Sequence, residues 1–151
     1  MGPLRHPRRR ASPAPAAVLL LLVLPACSNG TDAIRILPPG DVPFSFQEDV
    51  QPILTRNCAL AGCHGGGLLG FPLDLSAGVA HGQLVDVPSI ESPLDRVEPG
   101  APDLSYLVHK LQGTYDSVGG ACCRMPQGQA PLPEAEIDLI RGWIEQGAAD
   151  D

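Results

Sequence analysis

Two cysteines and a histidine lie within seven residues of one another: Cys58, Cys63 and the adjacent His64. A cluster that ends in Cys-His is typical of covalent haem attachment, in which each thiol adds across a haem vinyl group and the histidine binds the iron. The usual spacing places two residues between the cysteines, whereas this chain has four. The longer loop can still present both sulfurs to one side of the porphyrin. We therefore predict one covalent haem c, with Cys58 and Cys63 as attachment points and His64 as an iron ligand.

A haem iron also needs a second axial ligand or keeps an open site. Met125 is the one thioether that remains once Met1 is removed with a signal peptide. It precedes Pro126, which restricts Met125 to an extended conformation and holds its side chain outward from a loop. The sequence predicts Met125 as the distal ligand, and the structural alternative is that it fills a gap in the core.

Other polar residues compete for these roles. His81 and His109 lie in predicted helices beside polar neighbours, which favours surface positions, and His109 is the next candidate ligand after Met125. Arg96 and Arg124 could pair with haem propionates through charge-assisted hydrogen bonds, or they could simply be solvated.

The adjacent Cys122 and Cys123 allow explanations without haem. Exposed thiols of an exported protein tend to oxidise, so these two could form a vicinal disulfide or bridge to another protein. One of them could instead bridge to Cys58 or Cys63. Both of those cysteines, with His64 and Cys122, could also bind zinc tetrahedrally, although zinc ligands usually come in two short-spaced pairs. The alternative to a haem protein is thus a disulfide-stabilised or zinc-binding helical lipoprotein with a structural or binding role.

The N-terminus has the layout of an export signal. A basic region precedes an apolar run over residues 16–24, which is too short to span a membrane, and small residues and Cys27 follow. Residues 24–27, Leu-Pro-Ala-Cys, are similar to a bacterial lipobox and predict a signal peptide over 1–26 and lipidation of Cys27. We expect an exported protein anchored in the bacterial cell envelope, in the periplasm or at the outer membrane face. An ordinary signal peptide with an unrelated cysteine is the alternative.

The predicted mature chain is strongly acidic. Loss of residues 1–26 removes four arginines and leaves six basic residues against seventeen acidic ones, a net charge of −11. Such a surface disfavours nucleic acid and suits a basic docking surface on a redox partner, although solubility alone also explains it.

Short helices joined by long loops must position the candidate residues. A Pro- and Gly-rich spacer over 27–43 leads into a domain over 44–148, and 149–151 forms a tail. No segment alternates like a strand, so we expect a small, mostly α domain of three to five helices. The apolar spacing predicts four helices. The first three run from Val50 to Asn57 with Asp49 as N-cap, from Ser76 to Leu84, and from Pro102 to Leu111, where Gly113 ends the helix. The fourth starts at Glu134, ends at Gly147 and buries Ile137, Ile140, Trp143 and Ile144.

The order of several short segments resembles that of the c-type cytochrome domains of exported planctomycete and myxobacterial proteins. The matching segments cover residues 44–148 and are Phe46 to Leu54, Cys58, Cys63 to Gly65, Leu73 to Leu75, Arg96 to Gly100, Ser105 to Leu107, Lys110 and Leu111, Arg124 to Pro126, and Ile137 to Ala148. The chain departs from that pattern in the four-residue gap between the cysteines and in Pro133, where the family often has a Ser or Thr cap.

The resemblance implies a class-I-like cytochrome c fold in which helices wrap one haem. Cys58 and Cys63 would form the thioethers, His64 would be the proximal ligand and Met125 the distal one. The implied function is that of a membrane-anchored monohaem c-type cytochrome that carries single electrons between redox proteins outside the cytoplasm. With both axial positions filled, an electron carrier is favoured over an enzyme with its own substrate. A third interpretation is an accessory domain that senses redox state or a ligand at an open iron.

Overall fold

The computed structural model describes residue 2 and residues 43–66 and 72–151. In these ranges the chain is mostly helical, and its β pairings are two isolated bridges, Val85 with Val97 and Pro88 with Asp95. The predicted mostly α class is confirmed. None of the helices in these ranges is long and apolar enough to cross a membrane. The predicted signal peptide over 1–26, Cys27 and all but the last residue of the spacer lie outside the described residues.

The first helix begins four residues earlier than predicted. A π-helical turn, Phe46–Val50, runs directly into α1, Gln51–Asn57. The N-cap is Ser45 and not Asp49, because Ser45 Oγ accepts a hydrogen bond from the Glu48 amide at 3.1 Å. Asp49 Oδ2 in turn accepts from the Ser45 amide at 2.9 Å. This reciprocal arrangement satisfies two backbone donors at the helix start, as a capping box does.

The predicted helix from Ser76 to Leu84 is mostly a turn. Helix α2 covers Ala80–Leu84 only, and its N-cap is Val79, without a side-chain hydrogen bond, so the expected cap at Ser76 is wrong. The Ser76 carbonyl accepts from the amides of both Val79 and Ala80, at 3.2 and 3.1 Å. These two bonds close a tight turn that precedes the helix.

The predicted third helix is divided at Ser105. A 3₁₀ turn, Pro102–Leu104, lies before it and α3, Tyr106–Gln112, lies after it. Ser105 is extended and fully buried, and its Oγ accepts from the Glu98 amide at 2.9 Å and donates to the Ala101 carbonyl at 3.0 Å. Side-chain bonds of this kind compete with helical bonds, so the helix stops here and restarts one residue later.

The last helix, α4, covers Glu134–Glu145. Its buried face consists of the four predicted residues: Ile137, Ile140, Trp143 and Ile144. Pro133 is the N-cap and makes no side-chain hydrogen bond. Between α3 and α4 the chain ends α3 at Gly113, as predicted, and then forms a 3₁₀ turn, Tyr115–Val118, which the sequence analysis missed.

The residues predicted as a tail are bonded to the start of the first helix. The Asp151 carbonyl accepts from the Gln47 amide at 3.0 Å, and Trp143 Nε1 donates to the Ala149 carbonyl at 2.9 Å. Trp143 and Phe46 are both fully buried, with ring centroids 5.1 Å apart, at the centre of the core. The two ends of the domain are therefore joined beside this aromatic pair.

Candidate functional site

One cavity of about 270 Å³ brings the predicted site residues together. Cys58, Cys63, His64 and Met125 all line it, although Met125 follows the cluster by 61 residues. The rest of the lining is mainly apolar and includes Leu73, Leu75, Leu84, Leu107, Leu111 and Pro126. A mostly apolar cavity with a few convergent polar groups is the usual form of a ligand or cofactor site.

The first side of the cavity, the Cys–His wall, consists of residues 57–66 and 72–75. Cys58 follows α1 directly, and its amide donates to the Leu54 carbonyl at 2.8 Å, which continues the helical bonding. The four residues between the cysteines fold into a turn, in which the Cys63 amide donates to the Leu60 carbonyl at 2.9 Å. The His64 amide then donates to the Cys58 carbonyl at 3.1 Å. A turn thus accommodates the long spacing between the cysteines, and the His64 amide remains bonded to the Cys58 carbonyl.

Gly65 allows this turn to close. A Cβ atom at this position would lie 2.6 Å from the Ala59 carbonyl oxygen, closer than real Cβ contacts come. Only glycine fits such an approach of backbone to backbone without a shift of the turn. The glycine that follows the Cys-His pair therefore has a steric role.

The orientation of His64 is determined by the segment that returns after residues 67–71, which lie outside the described residues. His64 Nδ1 is 3.2 Å from the Leu73 carbonyl oxygen, and the His64 carbonyl accepts from the Leu75 amide at 2.8 Å. Because a carbonyl can only accept, Nδ1 carries the proton and the lone pair lies on Nε2. Histidine ligands of metals are usually oriented by such a bond from the other ring nitrogen.

The two thiols of the Cys–His wall differ in environment. Both are free, Cys58 being buried and Cys63 exposed. Burial, with smaller contributions from Cys63 and Glu136, raises the pKa of the Cys58 thiol to about 11. Cys58 is part of the hydrophobic core, and Cys63 lies at the rim of the cavity.

Asp74 joins the two described ends of the loop that follows His64. Its Oδ1 accepts from the Ser76 amide at 2.9 Å and from the Gly66 amide at 3.2 Å. Hydrogen bonds from Ser76, by side chain and amide, and from the Gly66 amide lower the pKa of the Asp74 carboxyl. The charged form of Asp74 is therefore the one that holds the loop.

A second part of the cavity lining comes from residues 106–111 and from Met125 and Pro126. Residues 106–111 and 120–126 together are called the Met wall. The Met125 amide donates to the Lys110 carbonyl at 2.8 Å, and Arg124 Nε donates to the Leu111 carbonyl at 2.8 Å. The last four carbonyls of an α-helix have no partner within the helix. The segment that carries Met125 is therefore fastened to the otherwise unsatisfied end of α3.

A buried charge, the Lys110 ammonium, stabilises the Met wall, and its burial was not predicted from the sequence. Lys110 is only 7% exposed, and its Nζ donates to Glu91 Oε2 at 2.9 Å, to the Ala121 carbonyl at 3.2 Å and to the Cys122 carbonyl. The Tyr106 hydroxyl donates to the same Glu91 oxygen, at 3.3 Å. Burial, followed by the nearby Glu91 charge, raises the pKa of Tyr106. The sequence feature that could have indicated this role is that Lys110 is the one lysine of the chain.

Gly120 allows the Tyr106 ring to approach the backbone closely in the Met wall. A Cβ atom here would lie 2.4 Å from Cε2 and 2.5 Å from the hydroxyl of Tyr106, and 2.6 Å from the Tyr115 carbonyl oxygen. The tyrosine ring therefore packs directly on the backbone that leads into the Met125 segment.

Cys122 and Cys123 form a disulfide with each other, one of the arrangements allowed by the sequence. Neither lines the cavity or bridges to Cys58 or Cys63, so the cross-bridged alternative is not found. The proposed zinc set is not assembled either, because Cys122 is paired with its neighbour and lies apart from His64. Within the described ranges, no three His, Cys, Asp or Glu side chains are grouped as metal ligands would be.

The competing histidines differ in whether they line the cavity. Of the described histidines, His64 alone lines the cavity. His109 bonds to Thr114 and Asp103 outside the cavity, in keeping with its predicted surface position. The surface prediction is wrong for His81, since its ring packs edge-on against Phe46 at 5.1 Å and its Nε2 donates to the Ala148 carbonyl at 2.8 Å.

Of the two arginines predicted as propionate partners, only one reaches the cavity. Arg96 lines it, with Nη1 donating to the Gln83 carbonyl at 2.7 Å. Arg124 lies outside the lining, with its side chain bonded to the Leu111 carbonyl at the end of α3. Of the two arginines, Arg96 is therefore the one available to an anionic group in the cavity.

Comparison of the chain with models of protein families, with curated proteins and with solved structures gives no match.

Proposed function

We propose that the domain is a monohaem c-type cytochrome that carries single electrons between redox proteins. The observation that carries this proposal is the convergence of Cys58, Cys63, His64 and Met125 on one apolar cavity. Residues separated by 61 positions in the sequence thus line the same cavity, as two ligands of one bound group would. A class-I-like cytochrome c fold, implied by the family resemblance, is part of the same proposal.

The donor set suits a covalently held haem. Cys58 and Cys63 are free thiols at the cavity surface, as thioether formation requires. The Leu73 carbonyl keeps the proton of His64 on Nδ1, so Nε2 has the lone pair that an iron ligand needs. Met125 would supply a thioether from the Met wall. When bound, such a group supplies a one-electron couple whose potential His/Met ligation raises relative to a His/His pair.

The remaining residues of the cavity exclude water and set the charge. Leu75, Leu84 and Leu111 line it with fully or almost fully buried side chains, which keeps the interior dry. Arg96 contributes a positive charge at the wall. His64 and Met125 would hold such a group from the two walls, and two protein ligands on the iron would favour electron transfer over turnover of a substrate.

The context of the domain belongs to the proposal as well. Export, lipidation of Cys27 and attachment to the bacterial cell envelope are proposed on the N-terminal sequence alone. A net charge of −11 for residues 27–151 suits a basic redox partner, because charge complementarity steers such proteins together.

The test is whether pigment stays on the polypeptide. The full chain is produced in a bacterium with export and haem-attachment machinery, denatured and extracted with acidified acetone. We expect covalent haem in the wild type and a severe loss in the variants Cys58→Ser and Cys63→Ser. The matched control is the double variant Cys122→Ser/Cys123→Ser, whose cysteines lie outside the cavity and which should keep its pigment.

Two results would contradict the proposal. One is wild-type protein without covalent haem, with thiol titration showing that Cys58 and Cys63 are paired or with stoichiometric zinc bound. The other is equal loss of pigment in the control double variant. The first result would favour a disulfide-stabilised or zinc-binding structural lipoprotein, and the second would mean that Cys58 and Cys63 are not the specific attachment points.

A further inference from the structure

Lys110 is the one lysine of the chain, and it is buried. Lysine is almost never buried unless it is paired, because removing an ammonium from water costs several kcal/mol unless partners replace the water. The partners of Lys110 are Glu91 at 2.9 Å and the carbonyls of Ala121 and Cys122. The positions of these acceptors in the chain show which segments the Lys110 ammonium holds together.

Two of the three acceptors belong to the segment that carries Met125. Ala121 and Cys122 precede Met125 by four and three residues, and the Met125 amide donates to the carbonyl of Lys110 itself at 2.8 Å. One residue therefore binds both ends of the segment, with its ammonium at residues 121 and 122 and its carbonyl at residue 125.

A carboxylate and two aromatic rings also surround the ammonium. Glu91 provides the counter-charge from a separate segment, and its side chain is 41% exposed. The rings of Tyr106 and Tyr115 lie with their centroids 5.5 and 5.4 Å from Nζ, within the range of cation–π attraction. The single Tyr106 hydroxyl proton is shared between Glu91 Oε2 at 3.3 Å and the Ala121 carbonyl at 3.1 Å, so lysine and tyrosine contact the same peptide group.

We propose that Lys110 is a positioning residue that holds the segment over residues 121–125 and thereby keeps Met125 at the cavity. The consequence for iron ligation rests on the proposed function, whereas the consequence for the segment itself does not. The residue acts through the backbone of its neighbours, since its ammonium is used by Glu91 and the two carbonyls.

The experiment compares Lys110→Leu and Lys110→Arg with the wild type in the full chain. Leucine keeps an apolar stem without adding a new thioether, and arginine keeps the charge and several donors. The control is Arg141→Leu, which also removes one cation of an ion pair, the one with Asp103 at 2.7 Å, but does so outside the cavity.

The first readout is amide hydrogen exchange, which needs no bound pigment. We expect Lys110→Leu to speed exchange over residues 121–125 by on the order of tenfold, because two carbonyls lose a charged donor. The Cys–His wall should keep its wild-type exchange, Arg141→Leu should leave both walls unchanged, and Lys110→Arg should restore most of the protection.

The second readout applies to haem-loaded protein. Lys110→Leu should lose the far-red band of sulfur-to-iron ligation and lower the midpoint potential, while covalent haem is retained. Unchanged exchange over 121–125, or a ligation band that persists in Lys110→Leu, would overturn the positioning role and leave the proposed function intact. Wild-type protein without haem would overturn the proposed function, and the exchange data would still decide the role of Lys110.

Discussion

The two walls of the cavity hold their candidate ligands in different ways. His64 is held by neutral bonds to residues near it in sequence: the Cys58 carbonyl, the Leu73 carbonyl and the Leu75 amide. Met125 is held by the end of α3 and by the ion pair of the buried Lys110 with the partly exposed Glu91. The bonds that hold His64 are thus local and neutral, whereas the Met wall joins three separate segments around one ammonium.

This difference determines how each wall should respond to damage. Neutral hydrogen bonds each contribute about 1 kcal/mol, so the loss of one leaves the others largely intact. A network around a buried charge depends on every member, because an uncompensated charge or carbonyl is costly. We therefore expect the Met wall to be the more fragile of the two.

The largest effect should come from Gly120→Ala in the Met wall. The new Cβ would overlap the ring of Tyr106 and the backbone of Tyr115, and neither can move without breaking the contacts around Lys110. We expect a loss of about 3 kcal/mol in the free energy of unfolding, at the upper end for overpacking. Urea denaturation followed by circular dichroism measures it.

The control for this substitution is Gly82→Ala in α2, where a Cβ meets nothing within 4 Å. Alanine there should be neutral or stabilise the protein by about 0.5–1 kcal/mol. Equal effects of the two substitutions would mean that the contact of Tyr106 with residue 120 is unimportant.

Gly65→Ala should have the second-largest effect and damage the Cys–His wall only. The new Cβ would meet the Ala59 carbonyl within the same turn, which can open slightly to relieve the overlap. We expect a loss of about 2 kcal/mol, within the range for overpacking, and reduced covalent haem content. Denaturation and pigment yield are the measurements, again against Gly82→Ala. A larger loss than that of Gly120→Ala would reverse the proposed order of fragility.

Arg96→Leu and Arg124→Leu form a matched pair across the two environments. Each arginine donates to one backbone carbonyl, that of Gln83 or of Leu111, so each substitution should cost about 1 kcal/mol of stability. Because Arg96 lines the cavity and Arg124 does not, removal of Arg96 should also lower the midpoint potential of haem-loaded protein. Redox titration checks this, and an unchanged potential in Arg96→Leu would contradict the assignment.

The smallest effect concerns Asp74 and pH. Its carboxyl has a lowered pKa in the folded state, so its stabilising bonds are complete above the ordinary carboxyl pKa of about 4 and are lost as the pH falls through the lower folded value. The amide resonances of Gly66 and Ser76 should shift in that acidic window. In Asp74→Ala these shifts should be absent, and a variant that retains them would show that another group is responsible.

Much of the Cys–His wall could be predicted because its determinants are close in sequence. The cluster from Cys58 to His64 is visible as a motif, and the apolar period of α4 predicted its buried face correctly. Met125 was found from composition and from Pro126. The features that were missed or misplaced depend on contacts that a local pattern does not contain. Ser105 interrupts a helix through bonds to Glu98 and Ala101.

The Met wall shows the same limit more strongly. Lys110 meets Glu91 across 19 residues and Ala121 across 11, and only the folded chain brings these groups together. His81 looked like a surface residue because its neighbours are polar, yet its ring packs on Phe46, from another helix. Burial decided by distant segments cannot be inferred from sequence spacing alone.

A single buried lysine also determines how the domain can be handled chemically. Reagents that couple to lysine amines have one target in the described ranges, and its Nζ is covered by Glu91 and two carbonyls. Amine-directed cross-linkers should therefore give no lysine links to a docked partner while the domain is folded. Partners should instead be mapped through carbodiimide activation of the domain's carboxylates. Cleavage by trypsin after Lys110 would report the opening of α3.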